Sequence, residues 1–218
     1  MNTHDTHPTD PDPDGRRTAV HEQDRALLAA AGRGDTAAVR AALAAGAGLE
    51  ARDLHGRTAL LLASIGDHVE AARALIAEGA DPDAQDDRDD SPWLATGVTG
   101  SVAMMRVLLP AGPDLTQRNR FGGIALIPAS ERGHTDYVRA LLRETAIEVD
   151  HVNSLGWTAL LEAVILGDGG PAHQEIVGLL IAAGATPGLP DGDGVTALRH
   201  AEQRGFTRIA DLLRAAGG

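Results

Sequence analysis

The sequence predicts an all-α repeat solenoid, and three observations carry that expectation. First, a short pattern recurs: "HGRTALLLA" from His55, "FGGIALIPA" from Phe121, "LGWTALLEA" from Leu155 and "DGVTALRHA" from Asp193 all place Ala-Leu from the third residue after a glycine. The first two of the glycines Gly56, Gly122, Gly156 and Gly194 lie 66 residues apart, which is two periods of about 33. Second, each copy leads into a paired apolar segment and a turn, as in "RALIAEGAD" (73–81), "RVLLPAGPD" (106–114), "GLLIAAGAT" (178–186) and "DLLRAAGG" (211–218). Third, 43% of residues are hydrophobic but only 2% aromatic, so the interior must be assembled from Ala, Leu, Val and Ile.

Taken in order, the units begin with "RALLAAAGRGDTAAVRAALAAGAG" (25–48), which has the helical part without a leading turn. The unit from 53 is complete. The next is degenerate: "DDSPWLAT" (89–96) has Asp89 where the other copies have glycine, and Gly100-Ser101 where a Gly-His pair belongs. The unit from 119 keeps "RGHTDYV" (132–138) nearly intact. In the unit from 153, "LGDGGPAHQE" (166–175) makes the step from Thr158 to Thr196 38 residues, five more than the period. The last helix, "FTRIADLLRAAGG", reads as a polar-faced cap. Glycines such as Gly79, Gly112 and Gly184 fall just past helices, where a positive φ terminates them cheaply. Asp53 and Asn153 open turns, where short polar side chains bond the local backbone.

This combination resembles the ankyrin repeat: D-x-x-G-x-T-P-L-H-x-A, then G-H-x-E-V-V, then L-L-L-x-x-G-A-D. About six units, 21–52, 53–85, 86–118, 119–152, 153–190 and 191–218, cover the chain beyond a polar tail at 1–20 that is expected to be disordered. Ala replaces Pro in most copies of the T-P-L-H motif, and its His occurs in none. The resemblance implies one domain at 21–218, each unit a β-turn finger plus an inner and an outer helix. Stacking buries the apolar stripes between neighbours and produces a right-angled, L-shaped stack with a concave face.

Composition narrows the chemistry. All 19 basic residues are arginines, no cysteine occurs, and the formal net charge is −12. Schiff-base and P-loop lysine mechanisms, disulfides and thiolate sites are thereby excluded. The charge disfavours nucleic acid and anionic membranes as partners. No segment has the length of a membrane span, and the amino terminus has neither the apolar core nor the cleavage site of a signal peptide. A cytoplasmic, monomeric protein without a cofactor is expected. The glycine-rich insertion lacks the Lys-Ser or Lys-Thr of a phosphate loop and reads as a surface element. "DPDPDG" (10–15) imitates the start of a calcium loop but has His21 at its twelfth position; His4 and His7 lack metal-site spacing. No metal site is expected.

Two features point to function. Glu162 lies in an apolar helix, at a register position otherwise held by Ala29, Leu62, Ala95, Pro128 and His200. An unpaired buried carboxylate costs several kcal/mol, so pairing with His200 of the next unit is expected, with Arg132 and Arg199 as contributors. Such a pair is either an acid–base couple in a crevice or an internal link between repeats. The resemblance also nominates a concave partner surface. The fingers supply His55, Arg57, Arg88, Asp90, Arg120, Phe121, Leu155 and Trp157; the inner helices supply Ile65, Val98, Thr99, Glu131, Arg132, Ile165, Leu166, Gln203 and Arg204. Trp93 and Tyr137 occupy positions that are normally buried. Phe121 and Trp157 are scarce aromatics on adjacent fingers, and Trp157 is either a hot spot or packing for its neighbour.

The expected function is a protein-interaction module whose apolar-aromatic anchor lies in the third and fourth finger-bearing repeats (119–152 and 153–190). The alternatives are a small-molecule binder or atypical enzyme using Glu162 and His200 between the fourth and fifth of these repeats, and a purely structural adaptor. Fold alone does not choose among them.

Overall fold

The computed structural model describes the backbone from residue 13 and side chains from residue 22. His4 and His7, residues 1–12 of the expected tail and the first half of the calcium-like run at 10–15 therefore lie outside the described residues, whereas residues 13–20, expected to be disordered, have helical backbone. Twelve α-helices are present among the described residues: α1 (Pro13–Arg33), α2 (Thr36–Ala44), α3 (Ala59–Ile65), α4 (Val69–Ala77), α5 (Pro92–Thr99), α6 (Val102–Leu108), α7 (Leu126–Glu131), α8 (Thr135–Glu144), α9 (Ala159–Ile165), α10 (Pro171–Ala182), α11 (Ala197–Gln203) and α12 (Thr207–Ala215). The odd-numbered helices stack successively as an inner row and the even-numbered ones as an outer row. One continuous apolar core runs between the rows, dominated by Ala, Leu, Val and Ile, with Trp93 and Tyr137 fully buried in it.

The fingers repeat one hydrogen-bonding device. An Asx residue opens each, and its Oδ1 accepts two backbone N–H groups: Asp53 from His55 and Arg57, Asp86 from Arg88 and Asp90, Asn119 from Phe121 and Gly123, Asn153 from Leu155 and Trp157, Asp191 from Asp193 and Val195. Each finger then closes by a backbone bond from the Asx N–H to the carbonyl four residues on. The turn requires a positive φ at its fourth residue. Gly56, Gly122, Gly156 and Gly194 supply it at 74°, 71°, 79° and 78°, and Asp89 adopts it at 59°.

Thr58, Ser91, Thr158 and Thr196 then cap the inner helices by accepting the N–H three residues on. Ile124 stands at that position in the 119–152 unit, and α7, which has no side-chain cap, is the shortest helix at 6 residues. Imidazoles tie the units together: Nε2 of His68, His134 and His173 bonds the carbonyls of Gly32, Val98 and Glu131 in the unit before.

The five extra residues of the 153–190 unit are not all loop. The inner-to-outer connection holds five residues where α3–α4, α7–α8 and α11–α12 have three, and α10 runs to 12 residues where α4 and α12 have 9. Pro171, favoured in a first helical turn, starts this longer helix and leaves His173 in register with His134.

Candidate functional site

The fingers and inner helices of the 86–118, 119–152 and 153–190 units enclose a groove of about 370 Å³. Arg88 and Asp90 come from the first finger, Asn119, Arg120, Phe121 and Gly123 from the second, Asn153 and Leu155 from the third. Val98 of α5, Ile127, Pro128 and Glu131 of α7, Arg132 and Leu166 at the helix ends, and Glu162 of α9 complete the lining. The finger turns aim residues two past each Asx outward, which is why Arg88, Phe121 and Leu155 rim the groove.

The apolar part is concentrated. Of the seven exposed large hydrophobics among the described residues, four line this groove: Val98 at 39% exposure, Phe121 at 50%, Leu155 at 55% and Leu166 at 49%. The Arg120 guanidinium lies 4.3 Å from the Phe121 ring centroid and 3.4 Å from Asp90 Oδ2. Burial raises the Asp90 carboxyl, helped by the charge of Asp86 and opposed by Arg120 and Arg88.

Glu162 forms part of the floor and is 5% exposed. Its Oε1 accepts the Asn153 Nδ2–H at 2.8 Å. Burial, reinforced by the Glu131 charge and opposed by the Asn153 bond, pushes its carboxyl up to about 7. The expected Glu162–His200 couple does not form. His200 Nε2 instead bonds Asp191 Oδ2 at 2.7 Å, and Arg199 pairs with Glu202 at 3.5 Å. Arg132 stands exposed on the groove wall, in neither hydrogen bond. The reason is local: in both of these units the residue opening the finger sits beside the residue nine further on, so the polar side chain is met by its own finger. Asn153 serves Glu162, and Asp191 serves His200.

The groove thus gathers Arg88, Asp90, Val98, Arg120, Phe121, Glu131, Arg132, Leu155 and Leu166 from the predicted surface, and adds Glu162. It does not include His55, Arg57, Ile65, Thr99, Trp157, Ile165, Gln203 or Arg204. Arg57 pairs with Asp53 at 2.7 Å on the edge of a separate depression. Trp157 and Ile165 are half-buried and pack against the core. Arg204 bonds the Ile165 and Gly167 carbonyls and lies 4.7 Å from the Phe206 ring centroid, tying the last unit to the insertion. Asn153 and Asp191 are the partners that sequence reading missed, although the i, i+9 spacing was present in both units. No cluster of metal-ligating side chains occurs among the described residues.

A family model described as ankyrin repeats matches residues 5–86 and 93–191. The chain is 45% identical over 190 residues to the ankyrin repeat protein YahD of Escherichia coli (strain K12), covering 87% of this chain and 94% of the relative. The crystal structure of an ankyrin repeat domain from Acinetobacter baumannii AYE superposes with a TM-score of 0.83 at 47% identity, over 88% of this chain and 97% of that one. The ankyrin repeat domain of Bcl-3, described as a member of the IkappaB protein family, aligns with a TM-score of 0.78 at 27% identity, over 88% and 86% of the two chains. Repeat units of this kind generally serve protein–protein interaction, and no helix among the described residues is long and apolar enough to cross a membrane. By its repeats, its finger chemistry and these relatives, the chain belongs to the ankyrin repeat family.

Proposed function

We propose that this protein is a cytoplasmic, monomeric interaction module that binds a polypeptide along the groove spanning the 86–118 to 153–190 units. The observation that carries this reading is the gathering of Val98, Phe121, Leu155 and Leu166 on one concave surface. Apolar side chains left exposed together on a rigid face mark an interaction site, and the arginine rim supplies polar register. Phe121 and Leu155 form the anchor. Trp157, packed against the core, stiffens the finger that carries Leu155.

The test compares immobilised wild type with a Phe121→Ala, Leu155→Ala double variant of matched circular dichroism and thermal midpoint. Proteins retained from a bacterial lysate by the wild type alone support the reading. Identical capture by both overturns it. A second reading, a small-molecule site, is favoured by one observation: the groove volume falls within the range of ligand pockets and meets a buried carboxylate at its floor. That reading now uses Glu162 without His200, and is tested by mass spectrometry of small molecules carried through purification by wild type and lost from Glu162→Gln.

A further inference from the structure

Glu162 is buried to 5% exposure, yet its carboxylate faces the groove with one oxygen committed: Oε1 to Asn153 at 2.8 Å. No ion pair joins Glu162 or Glu131 to a cation among the described residues. Three nearby basic groups are otherwise engaged, and Arg88 and Arg132, which line the same groove, join neither carboxylate in an ion pair. Arg120 is held between Asp90 and the Phe121 ring, Arg204 by the Ile165 and Gly167 carbonyls, and the imidazole of His200 by Asp191. The groove floor therefore presents two carboxylates that are held in no ion pair among the described residues.

A partner lying over this floor would remove the remaining water. An apolar or acidic group there would hold Glu162 in its protonated form beside Glu131 and gain no attraction from the floor. A cation would convert the same geometry into an attraction strengthened by the low-dielectric surroundings. We propose, resting on the polypeptide reading above, that the groove floor receives a basic side chain of the partner, whose ammonium or guanidinium meets Glu162 while its flanking apolar residues cover Phe121 and Leu155. Arg88 and Arg132, among the arginines that line the groove, meet the partner's backbone carbonyls or acidic residues to either side.

The carboxyl carbon of Glu162 in the full chain, labelled with carbon-13 and assigned by its loss in Glu162→Gln, reports the encounter by NMR. Titrations of pH are run in sodium chloride, in methylguanidinium chloride at equal ionic strength, and with an acetylated, amidated Gly-Leu-Arg-Leu-Gly peptide. Binding to the ionised form lowers the midpoint of the Glu162 titration by about one pH unit or more, and the peptide does so at lower concentration than methylguanidinium. The matched Gly-Leu-Glu-Leu-Gly peptide leaves the midpoint where sodium chloride does. An unchanged midpoint with both cations overturns the proposal. So does equal potency of free methylguanidinium and the peptide, which would assign the floor to a small guanidine or amine. If capture by the wild type still depends on Phe121 and Leu155 while the midpoint does not move, the groove reading stands and this inference alone fails.

Discussion

Replacing Glu162 by Gln isolates the cost of keeping an acid in the core. Gln is isosteric, and its Oε1 can accept the same Asn153 N–H, so the fold has no reason to change. The carboxyl rises from an ordinary 4.5 to about 7. Between those values the folded protein holds a proton that the unfolded chain has released. The stabilisation from this retained proton is complete below the unfolded-state value, and stability then falls as pH rises through the window. At about 1.4 kcal/mol per pH unit, the full loss is about 3 kcal/mol; the water-facing oxygen makes this an upper bound. Wild type and Glu162→Gln should therefore be equally stable near pH 4, and the variant should be ahead by up to about 3 kcal/mol at pH 8. Urea unfolding followed by far-ultraviolet circular dichroism across this range reads the difference, in which titrations shared by both proteins cancel. Parallel curves, or a wild type that gains on the variant above pH 7, would refute the reasoning, since a cation of the protein would then have to balance the carboxylate.

The i, i+9 device gives a second expectation. Asn153→Asp alone sets a second carboxylate against Glu162 and destabilises by more than about 1 kcal/mol, whereas Asn153→Asp with Glu162→His recreates the Asp191–His200 couple and recovers the loss, with a coupling energy of about 2 kcal/mol in a double-mutant cycle near neutral pH; additive effects would refute the pairing logic. Asp89→Gly should stabilise by about 1 kcal/mol, because Asp89 holds a φ of 59° that glycine supplies in the other four fingers and its charge lies near Asp90. Thermal unfolding of the variant checks it, and a lowered midpoint would show that the Asp89 side chain contributes more than its backbone costs.

Much of the fold was legible because the repeat restates its instructions five times. A glycine at the fourth finger residue, a Thr or Ser cap and a terminal glycine each have a local physical reason, so their recurrence identified the repeat without any tertiary information. The groove was half legible. Phe121, Leu155 and Arg120 could be placed on finger tips from register alone, but Trp157 could not, because whether a side chain two past the turn glycine's predecessor packs inward depends on the neighbouring unit. The Glu162 partner was misassigned for a similar reason. Reading down equivalent positions found His200 in the next repeat, whereas the finger of the same repeat folds back on its own inner helix and brings Asn153 there first. The split of the insertion between connection and helix was also hidden, since only the placement of His173 in the ladder fixes where α10 begins.

A repeat array is suited to carrying such a site. Each unit is stabilised chiefly by its immediate neighbours, so the cost of an ionisable group in the floor falls on the α7–α9–α11 stack and not on the whole molecule. The 191–218 unit answers the same positional problem with Asp191 against His200, a complementary pair that needs nothing from outside. The 153–190 unit answers it with a neutral amide that satisfies one oxygen and leaves the other toward the groove, beside Glu131 and beneath an apolar rim. Full internal satisfaction was chemically available at this position, as the next unit demonstrates with the same backbone geometry. The choice of Asn over a charged partner at 153 is what keeps the carboxylate unbalanced, and an unbalanced buried charge on a concave face is relieved by a proton in the free protein and by a cation in the complex.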